Sequence, residues 1–226
     1  MITLYAFGRV YPGMAGEGRD LRAQWALEES GLPYRVHALD YGAGEPGGPT
    51  FSRLGYFRQV PVIEDDGFVV AESGAVLLYL AEKAGKLMPA DVAGRTAVVQ
   101  WCFAALATVE RPLFEIQMID GGLGGEGAGA WRERLVNEAH SRLAGVERRL
   151  DGREWIAAEV FTIADILLAT VLRQVRHTNL MEPYPRVRSY YARALERPAW
   201  QRTLNLCAER QGTGALISRL MSDGGG

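Results

Sequence analysis

The sequence predicts an α+β protein in two parts, a sheet domain with the order βαβαββα followed by an all-α domain. Strand-like patterns bounded by Gly and Pro occur as far as residue 70, and the βαβαββα order fills about 85 residues. After that point only helical spacing of apolar residues recurs. With 226 residues the chain is long enough for two domains. We therefore place the first domain at 1–85, a linker at 86–91 and the all-helical domain at 92–226.

The first three elements are a strand, a helix and a second strand. Residues 2–7 alternate as a strand and are followed by a glycine-bearing loop over 8–18. A helical pattern that begins near Leu21 stops at Gly31, a residue type typical of helix C-termini. Residues 34–38 alternate as the second strand. These three elements form a βαβ unit, which predicts that the two strands are parallel.

A hairpin and a helix complete the first domain. Residues 51–57 carry a weak helical pattern. The sequence Asp-Asp-Gly at 65–67 separates the apolar runs 61–64 and 68–70, which predicts two antiparallel strands joined by a tight turn. The next apolar residues have helical spacing up to Gly85, where we expect that helix to end.

The second domain contains long helical patterns. Residues 98–118 are apolar around most of a helix, which predicts burial on several sides by the same domain or by a second subunit. A charged amphipathic helix is expected over 131–150. Thr162 and Asp165 have the spacing of a capping box, in which each residue satisfies a backbone N–H of the first turn. Pro198 begins the last predicted helix.

Composition excludes several functional classes. The 25 basic and 27 acidic residues give a net charge of -2 without a Lys/Arg cluster, so nucleic acid is not an expected partner. We expect no membrane span, because no apolar run approaches about 20 residues, and we see no signal peptide. These observations predict a cytoplasmic protein. The two cysteines and three histidines are scattered, so no metal site is expected.

Two short motifs predict a site that holds a peptide by its backbone. Pro61 fits the first position of a strand, so the preceding Val60 keeps free backbone groups for an extended ligand. Glu72 and Ser73 lie where the next helix begins. Its unpaired N–H groups would attract a carboxylate, while the Glu72 side chain could accept an ammonium group. An amine and a carboxylate on one carbon describe an amino acid.

Taken together, these features resemble the cytosolic glutathione S-transferase family over nearly the whole chain. The resemblance lies in the βαβαββα order, Val60-Pro61, Glu72-Ser73 and the segment 161–165 in an all-helical second domain. It implies that the first domain is thioredoxin-like and that the protein is a homodimer.

The resemblance also implies how glutathione binds as a co-substrate. Pro61 would follow a cis peptide bond, and Val60 would hold the cysteinyl backbone. The γ-glutamyl group would lie on Glu72 and Ser73, with Gln59 assisting.

A glutathione-conjugating enzyme must stabilise a thiolate, because a free thiol with a pKa near 8.5 is mostly protonated at neutral pH. Family members supply a Tyr, Ser or Cys from the first strand or the loop after it. This chain has no serine before Ser30 and no cysteine before Cys102, which disfavours a mixed disulfide with the protein. We rank Tyr11 first and Arg19 second as the stabilising group, with the backbone N–H groups of 18–20 as a further source.

We expect the second substrate between the first-domain loop and the long apolar helix, at Thr108, Glu110 and Phe114. Three functions stay open. The first is glutathione transfer to a small hydrophobic electrophile. The second is reduction of peroxides or disulfides, with a second glutathione resolving the product. The third is glutathione binding without turnover.

Overall fold

A computed structural model describes residues 1–10 and 16–213, with the backbone alone at Thr50. The predicted Tyr11 lies outside these ranges. The chain divides into two compact units. Among the described residues, unit 1 contains 1–10, 16–86 and 197–213, and unit 2 contains Leu87–Glu196. The sequence had placed the last helix in the second domain, whereas its contacts place it in unit 1.

Unit 1 contains a four-stranded mixed sheet. Its strands are β1 (Ile2–Phe7), β2 (Tyr34–Leu39), β3 (Val62–Asp65) and β4 (Phe68–Ala71). The strand order is β2-β1-β3-β4. Strands β1 and β2 are parallel, and β3 is antiparallel to both β1 and β4. This arrangement confirms the predicted parallel strand pair and the hairpin.

The helices in the described ranges follow the predicted order closely. They are α1 (Asp20–Ser30), α2 (Pro49–Ser52), α3 (Ser73–Ala84), α4 (Val92–Phe103), α5 (Glu110–Met118), α6 (Ala128–Arg149), α7 (Ile163–Leu172), α8 (Pro185–Leu195) and α9 (Pro198–Gln211). Helices α1 and α3 end at Gly31 and Gly85 as predicted, and both glycines have positive φ. Helix α2 covers only Pro49–Ser52, so it begins and ends earlier than the predicted 51–57.

Helix α9 packs on α1 through buried aromatic rings and an ion pair. The ring centroids of Trp25 and Trp200 are 4.7 Å apart, and both side chains are buried. Arg197 donates two hydrogen bonds to the Glu29 carboxylate, at 2.6 and 2.8 Å. These long-range contacts explain why the last helix belongs with the sheet, although its own pattern indicates only a helix.

In unit 2, α4 and α5 belong to one helical segment over Val92–Leu123, with π-helical turns at Ala104–Val109 and Ile119–Leu123 and a kink at Gly122, where φ is 83°. By length and composition alone, this helix is apolar enough to cross a membrane, contrary to the expectation that no such run exists. A single helix of this kind also occurs in soluble proteins. The part of the chain that the structure describes buries only 22% of the most apolar stretch of this helix, so the predicted burial on several sides is not observed there. Phe103, for example, is 66% exposed.

The capping box at the start of α7 is confirmed. The Thr162 side chain accepts a hydrogen bond from the backbone N–H of Asp165, the third residue of the helix. In return, the Asp165 carboxylate accepts from the Thr162 backbone N–H at 2.8 Å. Helix α6 begins at Ala128, three residues before the predicted start at 131.

Candidate functional site

One edge of the sheet collects the ends of three strands. The ladder between β1 and β3 ends at the pair Tyr5–Val62, and Val62 also pairs with Ala71 of β4. The backbone of Val60 therefore lies beyond the ladder, beside the carboxyl end of β1. Because β4 ends at Ala71, Glu72 lies at the same edge.

The peptide bond between Val60 and Pro61 is cis, as the family resemblance implies. The Val60 side chain is buried in a small cluster with Leu39, Phe51 and Val62, whereas the Gln59 side chain is exposed. Burial of the side chain fixes Val60 and leaves its backbone at the edge of the sheet.

Glu72 and Ser73 form the turn from β4 into α3. Glu72 has a φ of 70° and a ψ of 120°, and its side chain is exposed. The first backbone bond of this helix runs from Val76 N to Glu72 O, at 2.9 Å. The N–H groups of Ser73 and the next two residues precede that bond, so they form the anion-attracting end of α3.

A buried arginine that the sequence analysis missed supports Ser73. The Arg22 guanidinium donates from Nη1 to Ser73 Oγ at 3.2 Å, and the Arg22 side chain is buried in α1. Its positive charge adds to the attraction of the α3 N-terminus for a carboxylate. A charged residue among the apolar positions of α1 was the available signal.

The start of α1 brings a second set of donors to this edge. Leu21 N donates to Gly18 O at 3.3 Å and Arg22 N donates to Arg19 O at 3.1 Å. The N–H groups of residues 18–20 precede these helical bonds. Arg19 immediately precedes α1 and is half-buried. The predicted donors in this region, other than Tyr11, are therefore at the N-terminus of α1.

A buried ion pair joins α1 to α9. Arg210 Nη2 donates to Asp20 Oδ2 at 3.1 Å, and Arg210 Nη1 donates to Gln24 Oε1 at 2.9 Å. Burial raises the pKa of the Asp20 carboxyl above its ordinary value, while the Arg210 charge and nearby backbone N–H groups act in the opposite direction. The sequence analysis did not identify this pair.

The residues predicted to contact the second substrate all lie in unit 2. Thr108 is exposed and Phe114 is half-buried. Glu110 is buried and accepts a hydrogen bond from Gln174 Nε2 at 3.2 Å. The carboxylate of Glu110 is therefore engaged inside unit 2.

Both cysteines are buried, and neither forms a disulfide bond. Burial raises the pKa of the Cys102 thiol to about 12, so this thiol is protonated at neutral pH. Within residues 1–10 and 16–213, no group of three or more His, Cys, Asp and Glu side chains could hold a metal ion.

Comparison with known proteins gives matches along most of the chain. The family profile "Glutathione S-transferase, N-terminal domain" matches residues 10–82, and "Glutathione S-transferase, C-terminal domain" matches 129–193. The Disulfide-bond oxidoreductase YfcG of Escherichia coli is 31% identical over 181 residues, covering 76% of this chain and 84% of that protein. Glutathione S-transferase 1 of Triticum aestivum is 28% identical, covering 78% of this chain and 84% of that protein.

Two bacterial crystal structures share the fold. A glutathione transferase family member from Pseudomonas fluorescens, with two glutathione bound, has a TM-score of 0.77 and 29% identity and covers 90% of this chain and 92% of its own. A glutathione transferase from Pseudomonas putida, with one glutathione disulfide per subunit, has a TM-score of 0.79 and 29% identity and covers 91% of each chain.

Proposed function

Because the chain belongs to the cytosolic glutathione S-transferase family, we propose that it is a glutathione transferase. It would bind glutathione at the sheet edge and add the ionised sulfur to a small hydrophobic electrophile. The observation that carries this proposal is the meeting of Val60, the cis Pro61 and the Glu72-Ser73 turn at one edge.

The proposed binding mode assigns one part of the tripeptide to each element. The cysteinyl backbone pairs with Val60, with Gln59 assisting. The γ-glutamyl carboxylate lies at Ser73 and the α3 N-terminus, and the γ-glutamyl ammonium lies at the Glu72 carboxylate. Because Arg22 donates to Ser73 Oγ, it orients the hydroxyl that this carboxylate would contact.

Activation requires a lower thiol pKa in the complex. A decrease of about two pH units corresponds to about 2.7 kcal/mol of preferential interaction with the thiolate. Tyr11, Arg19 and the N–H groups of 18–20 are the proposed donors, and a few charge-assisted hydrogen bonds supply energy of this size. The protein then contributes thiolate stabilisation and orientation, with no covalent step on the enzyme.

The remaining parts of the proposal concern the second substrate and the assembly. Thr108 and Phe114 are the proposed contacts for the electrophile, and the buried Glu110 is a weaker candidate because Gln174 already engages it. A homodimer and a cytoplasmic location complete the proposal, and family membership supports both.

Disulfide reduction is a second candidate, favoured by the relative named as a disulfide-bond oxidoreductase and by the neighbour with glutathione disulfide bound. In this reaction, the glutathione thiolate attacks a disulfide, releases one thiol and forms a mixed disulfide. A second glutathione then displaces the other thiol, so two glutathiones become one glutathione disulfide. No protein cysteine is required. Binding of glutathione without turnover is the third candidate.

The first experiment is a pH titration of thiolate absorbance for glutathione bound to wild type, Tyr11→Phe and Arg19→Gln, with binding verified for each. We expect the wild-type complex to ionise at least about one pH unit below free glutathione, a change of about 1.4 kcal/mol. The substitution that abolishes this shift identifies the donor, and a shift that survives both points to the backbone. An unshifted wild-type pKa would contradict activation.

Turnover assays separate the candidates. Conjugation of an aromatic halide supports transfer, whereas formation of glutathione disulfide from a small organic disulfide supports reduction. Tight binding of glutathione with neither activity would support the third candidate, a protein that binds glutathione without turnover.

A further inference from the structure

The last turn of α9 contacts the backbone on both sides of the connection between β1 and α1. Arg210 Nε donates to the carbonyl oxygen of Phe7, the last residue of β1, at 2.8 Å. The next residue, Gln211, accepts a hydrogen bond on Oε1 from the Gly16 N–H at 3.2 Å. Both bonds span about 200 residues of sequence, so they form only in the folded chain.

The Phe7 carbonyl lies where the sheet offers it no strand partner. On the β2 side, Gly8 N already donates to Leu39 O at 2.8 Å. Neighbouring residues of a strand direct their backbone groups to opposite sides, so Phe7 O faces the β3 side. There the ladder ends at the pair Tyr5–Val62. Arg210 thus takes the place of a missing strand partner.

The same guanidinium fixes the first turn of α1 relative to β1. Arg210 also contacts Asp20 and Gln24, at 3.1 and 2.9 Å. The Arg210 and Asp20 side chains are only 8% and 1% exposed, so solvent screens this pair little. Because the guanidinium is planar and rigid, its three contacts define one relative position for the strand end and the helix start.

Close packing at Gly18 shows how tightly this region is defined. A Cβ atom at Gly18 would lie 2.0 Å from Asp20 Oδ1 and 2.9 Å from Phe7 Cδ2. Any side chain at Gly18 would displace the Asp20 carboxylate or the Phe7 ring. The backbone just before α1 is therefore closely packed against the end of β1.

We propose that Arg210 and Gln211 are positioning residues of the glutathione site, which set Arg19 and the N–H groups of 18–20 against the end of β1. This inference rests on the proposed function. Preorganised donors stabilise a thiolate only when their distances are correct, and a displacement of about 1 Å can lower a rate about 100-fold. Neither residue is assigned a contact with glutathione. Both residues act by fixing the position of the backbone between β1 and α1.

The test removes one hydrogen bond without removing a charge. Gln211→Met keeps the side-chain length and loses the acceptor for Gly16, whereas Gln211→Glu keeps an acceptor. The matched control is Gln201→Met, the same change at an exposed position of α9. We expect Gln211→Met to lower kcat about tenfold at saturating glutathione, with KM for glutathione within about twofold. Gln211→Glu should recover most of the loss, and the control should behave as wild type.

Amide hydrogen exchange gives a readout that does not depend on turnover. We expect peptides covering 16–24 to exchange about tenfold faster in Gln211→Met than in Gln201→Met, from the loss of about one hydrogen bond. If wild type lacks any activity and this exchange still rises, the positioning proposal stands and the proposed function fails. Unchanged exchange in Gln211→Met overturns the positioning proposal. So does an unchanged kcat in Gln211→Met when wild type is active.

Discussion

Two aspartates are buried at the starts of helices, one in each unit, and the groups that contact their carboxylates differ. Asp20 is the first residue of α1, and Asp165 is the third residue of α7. Burial raises the pKa of both carboxyl groups above the ordinary value. Both side chains are almost inaccessible to solvent.

The donors to Asp165 are neutral and mostly close in sequence. Its carboxylate accepts from the backbone N–H groups of Ile156 and Thr162, at 2.9 and 2.8 Å, and from Tyr190 OH at 3.0 Å. Asp20 instead contacts a cation, Arg210, which lies 190 residues away.

Asp165 therefore caps one helix locally, whereas Asp20 forms an ion pair between helices that are distant in sequence. The neutral donors around Asp165 stabilise the start of one helix. The pair at Asp20 joins α1, α9 and the end of β1 at the edge where the site residues meet. Removing one neutral donor leaves a partly satisfied carboxyl group, whereas removing the cation leaves a buried charge.

The strongest test of this comparison is Arg210→Met. The substitution leaves the Asp20 carboxylate buried without its cation, so we expect a loss of about 3–5 kcal/mol in the free energy of unfolding by urea. Adding Asp20→Asn to that variant should restore at least half of the loss, because the uncompensated charge is gone. A loss below about 1 kcal/mol in the single variant would contradict a stabilising ion pair between Arg210 and Asp20.

Asp165→Asn tests the neutral cap. An amide keeps one acceptor oxygen but turns a donor group toward the donors of Ile156, Thr162 and Tyr190. We expect a loss of about 1–3 kcal/mol in urea unfolding. Tyr190→Phe, which removes a single donor, should cost about 1 kcal/mol. If the two variants cost the same, the backbone donors contribute nothing measurable.

The pH dependence of stability sharpens the charge difference. Because the folded pKa of Asp20 is raised above 3.8, the native state binds more protons than the unfolded state between these pKa values. Stability therefore falls as pH rises through this window. Arg210→Met should widen the window, by about 1.4 kcal/mol per added pKa unit, and Asp20→Asn should abolish this slope. Urea titrations between about pH 4 and pH 7 measure it. Parallel curves for Arg210→Met with and without Asp20→Asn would exclude a titrating Asp20.

The smallest effect is expected at Asp120, a more exposed carboxylate whose pKa is shifted in the opposite direction to that of Asp20. Hydrogen bonds from Arg132 lower the Asp120 pKa below 3.8, and His177 acts in the same direction. Its contribution is present above 3.8 and is lost as pH falls through the lower folded pKa. Asp120→Asn should cost less than about 1 kcal/mol at neutral pH, and high salt should reduce that cost. A salt-independent cost would indicate packing instead of charge.

Local signals account for most of what the sequence predicted correctly. The ends of α1 and α3 follow from glycines that adopt positive φ, and the cap of α7 follows from two residues three positions apart. The hairpin follows from Asp-Asp-Gly at 65–67. The motifs at Val60-Pro61 and Glu72-Ser73 reach the same sheet edge because the β3–β4 register brings them there.

The length of α2 and the place of α9 were not predictable in the same way. A short helix with a weak pattern has little intrinsic stability, so its surroundings decide how far it extends. The pattern of α9 indicates a buried face, but it does not identify the partner that buries it. The contact between Trp25 and Trp200 supplies that partner.

By itself, the sequence determined the element order, the ends of α1 and α3 and the motifs Val60-Pro61 and Glu72-Ser73, since each depends on neighbours within a few positions. Only the tertiary structure decided that Arg22 supports Ser73, 51 residues away, and that Arg210 pairs with Asp20. The sequence around a single charged residue in a helix does not indicate which distant residue will be its partner. Burial makes such a partner necessary, and burial is a property of the folded chain.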